Sequence, residues 1–262
     1  MEPNSFTKTS FCNVEIDNIT TNDTKQYILN QLSILCSGIK YNSRYAKIYN
    51  EQYSKNLNNP HMFFLKSSGN PYLLFLTQIN NTNYCFLIDK KINDKYTFPK
   101  ILSVPYSFSS DLYKGTLFEC ELIRDNNNKW LLGINDIYHH KGKNMKKNII
   151  IDRVNTIHEV FEKDYSESEY TQHCPIFIKK YFDYKDINHV RNDFMKKLPY
   201  PTRGLYFIPL RADYSNMLYL FPKQDNMKHK MKHDKVANKP VKKKYIFRIM
   251  KTMKSDVYEL YL

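Results

Sequence analysis

Phe64-Leu-Lys66-Ser-Ser-Gly69-Asn-Pro-Tyr72-Leu-Leu-Phe-Leu76 decides the fold of this chain. A lysine closes one apolar run, two serines and a glycine follow, and a second apolar run begins at once. Strand character starts at His61. Pro71–Thr77 and Tyr84–Asp89 read as strands, and Gln78-Ile-Asn-Asn-Thr-Asn83 between them predicts a hairpin turn.

Working outward, a second strand pair is expected at Gly115–Arg124 and Lys129–Tyr138, around the turn Asp125-Asn-Asn-Asn128. Upstream, residues 1–22 are polar and aperiodic and read as an N-terminal arm. Thr24–Gly38 has helical spacing (Tyr27, Ile28, Leu32, Leu35), with Gly38 as its stop. A second helical stretch is expected through Tyr45, Ile48 and Tyr53. Downstream, Asn148–Lys163 predicts an amphipathic helix, Pro175–Tyr184 a strand, Asp186–Leu198 a helix, and Gly204–Leu210 and Met217–Phe221 strands. The lysine- and histidine-rich residues 223–244 read as a basic flexible loop, and residues 245–262 as strands completing the same domain. The sum is an α+β fold of antiparallel sheets flanked by helices, with its main domain at residues 23–222.

Composition narrows the function. Forty Lys+Arg against 26 Asp+Glu give a formal charge of +14, which suits polyanionic partners such as RNA or nucleotides. A lysine-rich composition inherited from an AT-rich genome explains the same charge without a partner. The 22 tyrosines and 16 phenylalanines can build a core or line a pocket for planar bases. Five cysteines without paired spacing argue against a disulfide framework and a zinc site. No apolar run of membrane-spanning length and no signal-peptide pattern is present, so a soluble cytoplasmic protein is expected.

Four segments occur in a telling order. Lys66-Ser-Ser-Gly69 resembles the Lys-x-Asp-Gly signature of mRNA capping guanylyltransferases and ATP-dependent ligases, with Ser68 in place of the acid. Thr116-Leu-Phe-Glu-Cys-Glu121-Leu-Ile123 resembles the next motif, where Glu121 matches the motif glutamate and Glu119 and Cys120 replace Asp and Gly. Trp130-Leu-Leu-Gly-Ile-Asn-Asp136-Ile-Tyr138 is similar to the aromatic strand ending in Asp. Thr202-Arg203-Gly204-Leu-Tyr206-Phe-Ile-Pro209 resembles the acidic-Gly motif, with Arg203 in place of the acid. Tyr84-Cys-Phe-Leu-Ile-Asp89-Lys90 resembles a strand of the capping branch. The resemblance implies a nucleotidyltransferase fold in which Lys66 would be the nucleophile. The remaining length leaves no room for the separate oligonucleotide-binding domain, of about 100 residues, that active capping enzymes use.

The departures point away from catalysis. A lysine nucleophile must be a neutral amine organised by neighbouring groups and a metal-bound phosphate. Ser68 removes a carboxylate, and Arg203 puts a guanidinium where an acid helps bind the metal. Lys66 and Arg203 would instead grip phosphate. The family's base walls map to Tyr96 (or Phe98) and Tyr206, and two aromatic walls suit a methylated, cationic guanine. The whole resembles the cap-binding domain of snurportin, and the composition that of large DNA viruses.

The expectation is therefore a cap-binding protein without catalysis and without a cofactor. Its nucleotide site comprises Lys66, Gly69, Tyr96, Glu119, Glu121, Arg203 and Tyr206, with Lys242, Lys243 and Lys244 on the RNA. The partners would be capped RNA or a guanine nucleotide, and other viral translation or capping subunits. The alternatives are an active guanylyltransferase forming a Lys66–GMP intermediate with Mg²⁺, or a structural subunit. His139-His140, His229 with His233, Asp152 and Glu159 read more simply as solvated positions.

Overall fold

The computed structural model describes residues 5–39, 41, 46–52, 61–92, 96–210, 215–222, 248–251 and 258–261. The chain forms two compact units, Met1–Pro222 and Lys223–Leu262.

In the first unit the elements run β1 (Phe6–Phe11), β2 (Val14–Ile19), α1 (Asn22–Leu35), β3 (Ala46–Ile48), β4 (His61–Ser67), β5 (Asn70–Ile79), β6 (Thr82–Asp89), β7 (Ile101–Ser103), β8 (Ser107–Phe108), β9 (Lys114–Arg124), β10 (Trp130–His140) and β11 (Lys143–Asn144). There follow α2 (Ile150–Lys163), β12 (Tyr165–Ser166), α3 (Glu169–His173), β13 (Ile176–Ile178), β14 (Tyr181–Asp183), helical turns over 184–197, β15 (Thr202–Pro209) and β16 (Asn216–Leu220). The large sheet has the order β1-β2-β7-β6-β5-β9-β10-β11, with β13 parallel to β10. The smaller has the order β14-β4-β15-β16-β3.

The two central hairpins lie where the alternation predicts them. The turn between β5 and β6 is the pair Asn80-Asn81, both at positive φ, which suits asparagine in a tight hairpin. Three expectations fail. Residues 5–22 are not an arm, because Phe6–Phe11 and Val14–Ile19 pair with each other and β2 joins the sheet edge through β7. Their polar side chains face solvent, while Ile16 and Ile19, three residues apart, enter the cores on opposite faces of the large sheet. Ala46–Ile48 is a strand parallel to β16, not a helix. Residues 45 and 53 of the expected helical stretch lie outside the described residues.

The third failure matters for function. Pro175–Tyr184 is not one strand. Residues 176–178 pair with β10 in the large sheet and residues 181–183 pair with β4 in the smaller one. Lys179-Lys180 is the crossing between the sheets. The expected helix at Asp186–Leu198 is a run of short helical turns whose Val190 packs on Phe63, Phe182 and Phe207.

Both faces of the large sheet are covered. Leu74, Phe118, Cys120, Leu132 and Ile134 pack with Ile157 and Val160 of α2. Leu73, Phe75, Phe86 and Leu117 pack with Ile28, Leu29 and Leu32 of α1. Beyond α1, that second face carries glutamates where leucine and phenylalanine would otherwise continue.

In the second unit, β17 (Arg248–Lys251) and β18 (Tyr258–Tyr261) form an antiparallel pair of their own. The basic loop expected at 223–244, with Lys242, Lys243 and Lys244, lies outside the described residues.

Candidate nucleotide site

The site is built by alternation along β9. Leu117, Glu119, Glu121 and Ile123 share one face, while Phe118, Cys120 and Leu122 point to the α2 side. Glu119 sits beside Leu73 of β5 and Asp136 of β10, and Glu121 beside Pro71 and Gly133. A register shift between Ile134 and Asp136 turns Asp136 onto the glutamate face. In the smaller sheet, Lys66 is registered with Gly204, and Phe64 with Tyr206.

Glu121 is wholly buried and carries the densest set of contacts. Its Oε1 pairs with the Lys66 ammonium and its Oε2 with that of Lys179. The Ser67 backbone N–H donates to Oε2 over 3.1 Å, and the Ser67 hydroxyl donates to the same oxygen. Lys179 also donates to the Leu65 carbonyl over 3.2 Å. Burial disfavours the charged carboxylate, but Lys179 and then Lys66 outweigh it and hold Glu121 at about 2. For Lys179 burial wins, pulling its ammonium down to about 8 against the attraction of Glu121.

Glu119 forms a neighbouring group. It pairs with Lys90 at the end of β6 and accepts from the Tyr138 hydroxyl over 2.6 Å. Burial pushes its carboxyl up, while Lys90 and Lys66 more than reverse this and leave it below the usual range. Asp136 is gripped by Arg153 of α2, Nε to Oδ1 at 2.8 Å and Nη2 to Oδ2 at 3.0 Å. Even so, burial keeps the Asp136 carboxyl above its ordinary value. The Lys146 ammonium lies 5.2 Å from the Tyr138 ring centroid. Five cations (Lys66, Lys90, Lys146, Arg153, Lys179) thus surround three carboxylates, an imbalance that suits an anionic ligand.

Of the residues expected from the sequence, Lys66, Glu119, Glu121 and Tyr206 come together. Tyr206 is nearly buried: its ring stacks on Phe64 at 4.9 Å and 21°, with the Lys66 ammonium 5.9 Å from its centroid. Gly69 lies in the turn after β4, where a Cβ would stand 2.3 Å from the Leu122 carbonyl oxygen; close strand approach demands this glycine. Arg203 is exposed on β15, next to Gly204, and forms no ion pair among the described residues. The cations that do gather with Lys66 are Lys90 and Lys179, on other elements. Tyr96 is 64% exposed, and Phe98 packs against the α1 side of the large sheet.

Lys179 was missed by sequence reasoning, as was the pairing of Asp136 with Arg153. The visible signal was a lysine pair inside Ile176-Phe-Ile-Lys179-Lys-Tyr-Phe182, an odd place for solvent-facing charge. Gly133 makes room for it, since a Cβ there would meet the Lys179 Cε at 3.2 Å.

Two sheets joined through a buried, lysine-rich polar cluster are compatible with a nucleotidyltransferase-like domain. The family described as mRNA capping enzyme, catalytic domain, matches residues 48–232, and the chain belongs to that family. No curated protein sequence matches the chain. No helix among the described residues is long and apolar enough to cross a membrane.

Proposed function

We propose that this domain binds a guanine nucleotide, with the methylated 5′ cap of RNA as its ligand, and does not transfer the nucleotide to itself. One observation carries the reading: the Lys66 amine is spent on an ion pair with buried Glu121, and Ser68 stands where the family has an acid. Attack on an α-phosphate needs a free, neutral amine. In this reading Lys66 and Lys90 hold phosphate, Glu119 accepts from the guanine edge or ribose, and Tyr96 and Tyr206 enclose the base. Stacking on Tyr206 requires Lys66 to leave its ring. Arg203 and Lys242–Lys244 contact the RNA chain, adding salt-dependent affinity.

Mg²⁺, which catalysis in this family would require, fits these residues poorly. Glu119 is matched to Lys90 and Tyr138, Glu121 to two lysines and Ser67, and Asp136 to Arg153. That donor set offers no open carboxylate for a hard cation. The likeness to snurportin, a viral source and a role in cytoplasmic mRNA metabolism or translation belong to the same proposal.

A second reading, an active guanylyltransferase, draws on one fact: Lys66 is not the sole cation on Glu121. Incubation with α-labelled GTP and Mg²⁺, followed by denaturation, separates the two. The proposal expects no covalent label, together with quenching of aromatic fluorescence by methylated cap analogue well below the GTP concentration needed. Label that survives denaturation and disappears in Lys66→Ala would overturn it.

A further inference from the structure

We propose that Lys179 is a positioning residue: it takes over the charge of Glu121 when Lys66 moves to a ligand phosphate. The inference rests on the reading that the Lys66–Glu121 cluster binds a phosphorylated ligand.

A carboxylate removed from water cannot be left without a partner at modest cost. Glu121 is completely buried, so if Lys66 were its only cation, any swing of Lys66 toward phosphate would strand it. The site does not have that defect. Lys179 occupies the other oxygen, and both Ser67 donors converge on that same oxygen, so the Oε2 half of the carboxylate stays satisfied after Lys66 departs.

The two lysines differ in freedom. The Lys179 backbone N–H is bound to the Ile134 carbonyl at 3.1 Å, and its ammonium is bound to the Leu65 carbonyl, which ties it to β10 and β4 together. Lys66 has no carbonyl partner of this kind among the described residues, and it borders Tyr206 and the Glu119–Lys90 pair. Lys66 is thus the mobile member and Lys179 the fixed one.

Charged and titratable groups face Lys179 from every side: Glu121 and Glu119 on β9, Lys66 on β4, Tyr181 on β14, and His158 on α2 across a cavity of about 350 Å³. Burial brings the Lys179 ammonium to about 8. Above that pH it loses its charge, Lys66 becomes the only cation for Glu121, and phosphate binding should weaken.

The test titrates the full chain with GTP and, separately, with inorganic triphosphate, in wild type, Lys179→Met and Lys179→Arg at pH 7.5 and 9.5. Folding is checked by thermal unfolding. Lys179→Met should bind both ligands at least tenfold more weakly, and Lys179→Arg should recover most of that loss. Wild type should weaken between the two pH values, and Lys179→Arg should weaken much less. A folded Lys179→Met that binds like wild type overturns the inference and leaves nucleotide binding intact. If Lys179→Met does not fold, a wild-type affinity that is flat with pH, or a Lys179→Arg that follows it downward, overturns the inference. Triphosphate binding that depends on Lys179 without GTP binding would sink the nucleotide reading alone. Failure of wild type to bind either ligand would sink both.

Discussion

Lys66 on β4 and Glu121 on β9 meet as a buried ion pair that joins the two sheets of the domain. Lys66 therefore serves as a tie between strands from different sheets. Lys179, at the crossing from β13 to β14, makes the same tie from the other side.

Removing the shared carboxylate should be costly. Glu121→Gln leaves two buried lysines facing a neutral amide, and breaking a buried pair on one side costs about 3–5 kcal/mol. Urea unfolding should register a loss of that order. A change below about 1 kcal/mol, the scale of a surface pair, would mean that the cluster is solvated.

The same carboxyl should shape acid stability. Glu121 is held at about 2 in the fold, below its ordinary value of 4.5. A depressed carboxylate contributes stability that is complete above the unfolded value and is lost as pH falls through the folded one. Wild-type melting temperature should therefore drop between about pH 4.5 and pH 2, and Glu121→Gln should show a shallower drop over that window.

Arg153→Ala should destabilise by about 3–5 kcal/mol, because Asp136 would remain buried without its cation. Arg153→Lys should recover only part of the loss, since a point charge cannot reproduce the two-pronged contact. An Arg153→Lys variant as stable as wild type in denaturant titration would argue against the fork.

Gly69→Ala should cost about 1–3 kcal/mol through overpacking. The added methyl would lie 2.3 Å from the Leu122 carbonyl oxygen, which belongs to backbone that cannot rotate away. Chemical denaturation of this variant, compared with Gly38→Ala as a site with open space, checks it. The second change should act only through the positive φ of Gly38.

Tyr206→Ala should lose about 3–5 kcal/mol, as for other buried aromatics, because the ring stacks on Phe64 within the second sheet. Tyr206→Phe removes only a hydroxyl that accepts from the Asn216 amide at 3.2 Å, a bond worth about 1 kcal/mol. Differential scanning calorimetry on the pair separates stacking from hydrogen bonding. Ligand titrations of Tyr206→Ala carry meaning only on protein shown to be folded.

Local rules in the sequence were enough for the central hairpins and for α1 and α2. Alternation with period two and helical spacing are properties of neighbours along the chain, so they can be read without a structure. The N-terminal hairpin escaped that reading because Ile16 and Ile19 lie on opposite faces of β2 and leave no sustained alternation to signal it. What only the tertiary structure decided is the partnership of charges. Lys179 drew no reading from the sequence, and only the crossing of the chain from one sheet to the other buries it against Glu121. Lys66 reads as a phosphate-gripping cation beside Arg203, and its pairing with a carboxylate 55 residues along the chain is visible only in the fold. An ion pair across two sheets depends on how the sheets pack, and burial sets both its strength and its protonation, so no stretch of sequence contains it.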